Sequence, residues 1–423
     1  MTPPDDQMDD DAADDAGDDA IGVDGVGLAP GVPADEQLMA QAIAVGAGNL
    51  GLTGSNPSVG CLIVRDAGKG SGEGPGEGRA KGPRIIAAAV TAPGGRPHAE
   101  TQALAQAGEA ARGATAYVTL EPCSHHGHTP PCAEALIRAG IARVVVSVVD
   151  PDLRVSGRGI AMLREAGISV ETGVLAAQGE RALEAYLLRK RLGRPHVTLK
   201  LALSRDGMIG VRGRAAGEGQ VAITGPESRA YVQHLRARTD AILVGISTAL
   251  ADDPELTVRL PGLEDRSPVR IVLDADLRLP PGSKLARSAR TVPVIAVAGV
   301  LSSDDGDIEA RARQDRADAL SALGVEVLEW DPRRLDLLLP ALASRGLSSL
   351  LVEGGARTAA SFLNAGMVDR LLLFTGTPTI GTPMIGMEGI ASPIRPGLVP
   401  ASFMHMSGEA FGPDHLDIYE RTP

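Results

Sequence analysis

Aromatic residues are scarce in this chain of 423 residues: four Phe, four Tyr and one Trp make up 2% of it. The core must then be packed with Leu, Val, Ile and Ala, which suffices because burial scales with apolar area and not with ring count. Cysteine is scarcer still. Three thiols, an odd number in so long a chain, make no disulfide framework and point to a reducing cytoplasm. Long apolar runs are missing, and none approaches the ~18 residues a membrane helix needs. A basic segment followed by an apolar one is missing from the start, so no secretory signal is expected. No basic patch with interleaved aromatics occurs, so nucleic acid is not an expected partner.

Positive charge is absent from residues 1–36, which carry eleven Asp and one Glu. Removing those twelve from the 53 acidic residues leaves 41, equal to the 41 Lys plus Arg. The net charge of −12 is thus a property of the tail, and the body is close to neutral. A run such as DDQMDDDAADDAGDDA buries too little apolar surface to fold, so residues 1–34 are expected to be a solvated, disordered tail.

The length suggests two domains. Asp35–Gly46 opens with acids and continues with helical apolar spacing. NPSVGCLIV and RIIAAAVT read as strands on either side of a Gly-rich loop, residues 66–83. A helix over His98–Ala111 follows, then strand AYVTL, helix AEALIRAG, strand ARVVVSVVD, helix RGIAMLREAG and strand ISVETGV. Glu180–Arg191 reads as a helix joining two halves. After it come HVTLKLALS, a helix around ESRAYVQHLRAR, and strands DAILVG, RIVLDA, VPVIAVAG, GVEVLEW, SLLVEGG and RLLLFTG. Alternating β and α with apolar strands predicts an α/β chain whose sheets are covered on both faces. The expected units are residues 35–180, a linker over 181–195, and residues 196–423.

What is present in abundance sits in Thr119–Cys132, TLEPCSHHGHTPPC, with two of the three cysteines and three of the eight histidines. A hydrolytic deaminase needs hydroxide at neutral pH, and zinc held by three protein ligands supplies it at an open fourth position. It also needs a carboxyl outside the ligand set to carry the proton to the leaving amine, in the pattern H-x-E, then P-C and a second Cys. PHAE offers His98 as ligand and Glu100 as shuttle; EPC and PPC offer Cys123 and Cys132. Two plainer readings stand beside this. One is a structural zinc closed by Cys123, Cys132 and two of His125, His126 and His128. The other treats both cysteines as small core residues. Cys61, in an apolar run, reads as a buried thiol.

NPSVGC, PHAE, the eight residues between the cysteines, and VVDPDLRVSGRGIAMLREAGISV together resemble the bifunctional deaminase–reductase of bacterial riboflavin biosynthesis. The resemblance covers about residues 36–420. It implies a cytidine-deaminase-like three-layer zinc domain followed by a dihydrofolate-reductase-like α/β domain. The implied substrate is a diaminopyrimidinone carrying a ribosylamino 5-phosphate. It would first lose an amino group as ammonia, and NADPH would then reduce its ribosyl group to ribityl. His98, Cys123 and Cys132 match the family's Zn2+ ligands, Glu100 its proton shuttle, and Asn56 lies in the motif lining the pyrimidine pocket.

The second half resembles the family's reductase through LKLALSRDGMIG, HLRARTDAILVG, STALADDPELTVR and LLVEGGARTAASFL. Ala202, Thr248, Asp252 and the turn Gly355, Ala356, Arg357, Thr358, Ala359, Ala360 and Ser361 then match cofactor contacts. Lys200, Arg236, Leu256, Arg259 and Glu353 match or adjoin substrate contacts, with the two arginines suited to a sugar phosphate. A homo-oligomer is also implied. Two departures, Gly219 and Val221 in GQVAIT and a PTIG turn without lysine, raise the alternative of an active deaminase with a weakened reductase half. A non-catalytic zinc- and nucleotide-binding module and a nucleic-acid base deaminase are the other readings.

Overall fold

The computed structural model describes residues 32–65, 82–126, 130–152, 155–211, 221–300, 307–381 and 389–422. The acidic run up to residue 31, most of the Gly-rich insert, His128 and Gly219 lie outside the described residues.

The first half is built on five strands: β1 (Gly60–Arg65), β2 (Arg84–Val90), β3 (Thr115–Leu120), β4 (Arg143–Val148) and β5 (Ser169–Thr172). Their order is β2-β1-β3-β4-β5, with β1 antiparallel to β2 and β3, and β3, β4 and β5 parallel. Side chains alternate across this sheet with the period of two that a strand imposes. Cys61, Ile63, Val144 and Val146 enter one core with α2 (Ala99–Ala107), α3 (Cys132–Arg138) and α4 (Arg158–Glu165). Leu62, Val64 and Val145 enter another, under α1 (Ala34–Gly46). Helix, sheet and helix make three layers, as expected, and Cys61 is the buried thiol the sequence suggests.

α1 lies close on β1 because Gly60 has no side chain; a Cβ there would fall 1.9 Å from the Ala42 carbonyl oxygen. Tyr117 and Arg143 tie α1 to the sheet through Asp35, the tyrosine donating at 2.5 Å and the guanidinium at 2.9 and 2.7 Å. The connecting helix predicted over Glu180–Arg191 is two helices, α5 (Ala176–Ala182) and α6 (Glu184–Leu192), bent at Leu183. The bend lets both pieces dock. Gly179 of α5 sits against Ser147, while Leu183, Tyr186 and Leu187 join the first core.

The second half carries β6 (His196–Leu203), β7 (Met208–Val211), β8 (Ala241–Gly245), β9 (Val269–Leu273), β10 (Val294–Ala298), β11 (Glu326–Glu329), β12 (Ser349–Val352) and β13 (Arg370–Thr375). β14 (Gly389–Ala391), β15 (Phe403–Phe411) and β16 (Asp414–Arg421) complete it. Nine of these form one sheet in the order β11-β10-β9-β8-β12-β6-β13-β16-β15. Every pairing from β11 to β13 is parallel, and β16 and β15 add an antiparallel edge. β14 and β7 pair separately. The helices are α7 (Pro226–Arg236), α8 (Ile246–Asp252), α9 (Lys284–Arg287), α10 (Asp307–Ala322), α11 (Leu335–Ser344) and α12 (Ala356–Asn364). Leu338, Leu339 and Leu342 of α11 and Phe362 of α12 cover one face, and Leu285 and Leu320 help cover the other. All four Phe fall between residues 362 and 411, and Phe374 and Phe411 stack around Tyr231 near the antiparallel edge.

Candidate active sites

The first site lies where β3 ends and two helices begin. His98 is the residue before α2, and Cys132 is the first residue of α3. Cys123 lies between them in sequence, three residues past β3. Among the described residues, His98 Nδ1 and the two thiol sulfurs form one candidate metal-binding group, with all three atoms within 4.8 Å of one another. His98 Nδ1 is 3.3 Å from Cys132 Sγ and 3.7 Å from Cys123 Sγ. The Cys132 amide donates to Cys123 Sγ at 3.2 Å. Cys132 is buried while His98 and Cys123 are half-buried, so the group is open on one side. One nitrogen and two sulfurs converging with an open side fit zinc with a fourth position for a small ligand.

The thiols share their proton unequally. Cys123 is held down at about 4, chiefly by the hydrogen bond from Cys132 and also by His98. Cys132 is pushed well above the thiol range by that same bond and by burial. Glu100 lies in the first turn of α2, only 4% exposed. Burial pushes its carboxyl up to about 7, and the charge on Cys123 adds to the push. An acid poised there can both accept and release a proton near neutral pH.

Asn56 belongs to a loop packed on the segment leading to His98. Its side-chain nitrogen lies 2.2 Å from where a Cβ on Gly95 would be, so only glycine fits. The Gly94 amide donates to the Leu52 carbonyl at 2.8 Å, and the Thr53 hydroxyl to the Asn56 carbonyl at 2.7 Å. Of the loop histidines, His126 is exposed and sits 3.0 Å from Glu134. His125 has a buried Nδ1 without a hydrogen-bond partner. Neither joins the cysteine group, so the structural zinc closed by these two is not formed among the described residues.

The second site lies at the carboxyl ends of β6, β8 and β12. Glu353 follows β12, and its amide donates to the Leu243 carbonyl at 3.0 Å. Arg236, the last residue of α7, donates to both its carboxylate oxygens, at 2.8 and 3.0 Å. Lys200 of β6 lies 4.0 Å away, over the ring of Phe374. Arg236 is buried, and Lys200 and Glu353 are largely covered, their side chains 13% and 9% exposed. Burial acts to raise Glu353, but the charges of Arg236 and Lys200 outweigh it and its pKa is lowered. Lys200 is lowered, chiefly by burial. The two arginines expected to suit a sugar phosphate stand differently: the Arg236 guanidinium fork is paired with Glu353, whereas Arg259 lies at the surface, 3.4 Å from Glu255.

Leu256 and Arg259 belong to the segment after α8. Asp253 and Leu256 there adopt positive φ, 39° and 56°, a conformation costly for residues with a side chain. Arg270, wholly buried, braces the segment by donating to the Glu255 carbonyl at 3.1 Å. Asp252 closes α8. Thr248 of α8 accepts from the Gly355 amide at 3.2 Å, which joins α8 to the turn before α12. The turn is tight: a Cβ on Gly354 or Gly245 would fall 2.5 Å from Thr358. Ala356, Arg357, Thr358, Ala359, Ala360 and Ser361 form the first turns of α12, whose start has no side-chain cap. Uncapped amides at such a start suit an anionic group. Arg357 donates to Ser247 at 2.7 Å. Ala202 lies on β6 beside Phe374 of β13. The PTIG turn, without its lysine, is held by Asp206, whose carboxylate accepts from the Ile380 and Gly381 amides at 3.1 and 2.6 Å.

Two residues escaped the sequence reading. Arg270 carried no signal, lying inside an ordinary apolar strand. Glu121 did carry one: a carboxylate leaving a buried strand directly before Pro122 and Cys123.

Comparison with known proteins gives two family matches. Residues 33–148 match the cytidine and deoxycytidylate deaminase zinc-binding region, and residues 195–414 match the RibD C-terminal domain. The riboflavin biosynthesis protein RibD of Escherichia coli is 38% identical over 366 residues, covering 84% of this chain and 90% of that protein. That of Aquifex aeolicus is 36% identical over 359 residues, covering 85% and 91%. Among solved structures, Acinetobacter baumannii RibD superposes with a TM-score of 0.74 at 33% identity, covering 92% of this chain and 99% of that one. A deaminase/reductase from Thermotoga maritima, whose name gives diaminohydroxyphosphoribosylaminopyrimidine and 5-amino-6-(5-phosphoribosylamino)uracil as substrates, has a TM-score of 0.73 at 30% identity. The likeness spans both halves, and a weakened second half finds no support in it.

Proposed function

The chain belongs to the RibD family of riboflavin-biosynthesis proteins, and on that premise we infer that it performs two consecutive steps on one pyrimidine ribosylphosphate. The first is hydrolytic deamination of 2,5-diamino-6-(5-phosphoribosylamino)pyrimidin-4(3H)-one. The second is reduction of the ribosyl side chain to ribityl with NADPH. The carrying observation is the convergence of His98 Nδ1, Cys123 Sγ and Cys132 Sγ within 4.8 Å, with the buried Glu100 beside them.

His98, Cys123 and Cys132 would hold zinc, which when bound activates water at neutral pH. The residues of the chain do the rest. Asn56, fixed against Gly95, would orient the pyrimidine. Glu100 would accept the proton released as water adds to the amino-bearing carbon, then pass it to the exocyclic nitrogen. The carbon–nitrogen bond breaks, ammonia leaves and a ring carbonyl remains. Burial suits Glu100 to this shuttle because its proton affinity lies near the working pH.

In the second half the turn from Gly355 to Ser361 would seat the cofactor's pyrophosphate. Thr248 and Asp252 would line the same cleft, and Ala202 would leave room for the nicotinamide end. Glu353 would accept a ribose hydroxyl or ring N–H, held in place by Arg236 and Lys200. That leaves Arg259 as the exposed cation for the phosphate, with Leu256 shaping the wall. NADPH held in that cleft would supply a hydride equivalent to C1 of the ring-opened sugar imine, whose nitrogen takes a proton. As for organisation, the first unit would extend through α6, whose apolar side chains it shares. A homo-oligomer in the cytoplasm completes the reading.

The test follows one substrate through zinc-loaded protein by mass spectrometry, with NADPH withheld and then added. Ammonia and the uracil product should appear first, and the ribityl product only after NADPH. A reaction that stops at the uracil product would refute the second step, and no reaction at all would refute both.

A further inference from the structure

We propose that Glu121 is a positioning residue of the deaminase centre, fixing the main chain that carries Cys123 and thereby the affinity for zinc. This rests on the zinc reading of His98, Cys123 and Cys132 given above.

Two of the three ligands are placed by elements of their own. His98 stands at the start of α2 and Cys132 at the start of α3. Cys123 is in neither helix nor strand, so its position depends on what grips the chain on either side. On the upstream side the grip is Glu121, a carboxylate only 3% exposed. Its Oε1 accepts from the Gly159 and Ile160 amides at 3.0 and 3.3 Å, and its Oε2 from the Gly157 and Asp150 amides at 3.0 and 3.3 Å. Two of these donors, Gly159 and Ile160, lie in the first turn of α4 and a third, Gly157, immediately precedes it, where amides have no acceptor within the helix. The fourth lies just past β4, whose Val148 carbonyl also accepts from the Glu121 amide at 2.9 Å. The carboxylate therefore pins the exit of β3 to both β4 and α4.

The next residue is seated on the same helix. Gly159 approaches so closely that a Cβ would fall 2.0 Å from the Pro122 carbonyl oxygen. On the downstream side, the Cys123 carbonyl accepts from the Ala133 amide at 3.2 Å, and its sulfur accepts from the Cys132 amide. Cys123 is thus strung between α4, through Glu121 and Pro122, and α3. Groups that orient a ligand without touching the metal commonly change metal affinity by about 10–100-fold when removed.

Glu121→Gln nearly preserves shape but replaces one acceptor oxygen with an NH2 that would face two N–H donors. Apo-protein of this variant should bind zinc about tenfold or more weakly in competition with a chromophoric chelator. Its cobalt complex should show shifted thiolate-to-cobalt absorption. Reductase turnover in the same sample should be unchanged, and a cooperative thermal transition of the first half shows that the half carrying Glu121 is folded. Glu121→Asp, with both oxygens on a shorter arm, should fall between the two. If Glu121→Gln is not recovered folded, the aspartate variant against wild type decides the matter alone. Wild-type zinc affinity and cobalt spectrum in a folded variant, even one less stable to heat, would overturn the proposal and leave Glu121 as a support for α4 only. A wild-type chain whose metal binding is indifferent to Cys123→Ser would instead overturn the zinc reading, and the role of Glu121 with it.

Discussion

At the scale of single residues, the two sites make opposite use of a buried carboxylate. At Glu100 burial and the charge of Cys123 prevail over His98, and the carboxyl is pushed up to about 7. Glu353 is also buried, but Arg236 and Lys200 lower it. The first arrangement suits moving a proton and the second suits holding a charge, so the same kind of truncation should read out differently. Glu100→Gln should cost the deaminase roughly 10²–10⁴ in kcat while leaving metal content and reductase turnover intact. Steady-state ammonia release beside NADPH consumption measures both. Glu353→Ala leaves a buried guanidinium and ammonium uncompensated and should cost about 3–5 kcal/mol in denaturant stability. Loss of reductase activity would come with it. Stripping the metal with a chelator should abolish ammonia release and spare reduction of supplied uracil intermediate; an equal loss of both would place metal in the second site too.

At the scale of elements, helix starts and strand ends set the sites. His98, Cys132 and the Gly355 turn all precede or open helices, and Glu353 directly follows a strand. These were legible in the sequence because the signals are local: PHAE before an apolar helix, PPC before AEALIRAG, EGG between a strand and a helix. Seven strands of the second half, β6 and β8 to β13, were legible too, as short apolar runs, whereas β7 and β14 to β16 were not. What was not legible depends on partners distant in sequence. Arg236 looks like any helix-end cation until β12 brings Glu353 to it, 117 residues on. The β15–β16 hairpin is half exposed and mixed in character, so it has no continuous apolar run to announce it. The bend at Leu183 answers to the surface it packs on. Close helix–strand approach is likewise invisible until the fold is built. Gly60→Ala would put a methyl 1.9 Å from the Ala42 carbonyl and push α1 off β1. A cost of about 1–3 kcal/mol is expected, seen as earlier thermal unfolding of the first half with reductase turnover preserved.

At the scale of the whole molecule, the loop that carries Asn56 is shared property. α6 is rooted in the first core by Leu183, Tyr186 and Leu187, with Tyr186 donating to Asp150 at 3.0 and 3.2 Å and Lys190 paired to Asp152 at 2.8 Å. From that base Arg189 reaches the other way. It donates to the Ser348 hydroxyl at 2.8 Å, just before β12, and to the Ser55 carbonyl next to Asn56. Nearby, Arg266 donates to the Gly48 carbonyl at 2.7 Å. A Cβ on Gly51 would fall 2.9 Å from the Arg238–Thr239 backbone, and one on Gly346 would fall 3.1 Å from Ser55. The second half therefore buttresses the loop that carries Asn56, through residues outside both the cysteine group and the Glu353 cluster. Arg189→Ala should remove hydrogen bonds worth about 0.5–1.5 kcal/mol each, and so raise KM for deamination by about 2–10-fold. The kcat for deamination, the zinc content and the reductase constants should hold, since His98, Cys123, Cys132 and the β12 carboxylate keep their own supports. Arg189→Lys, with one compact donor group in place of a planar fork, should not restore both contacts. An unchanged deamination KM would mean that the Thr53–Asn56 and Gly94–Leu52 bonds hold the loop unaided, and that the docking of the two halves serves stability alone.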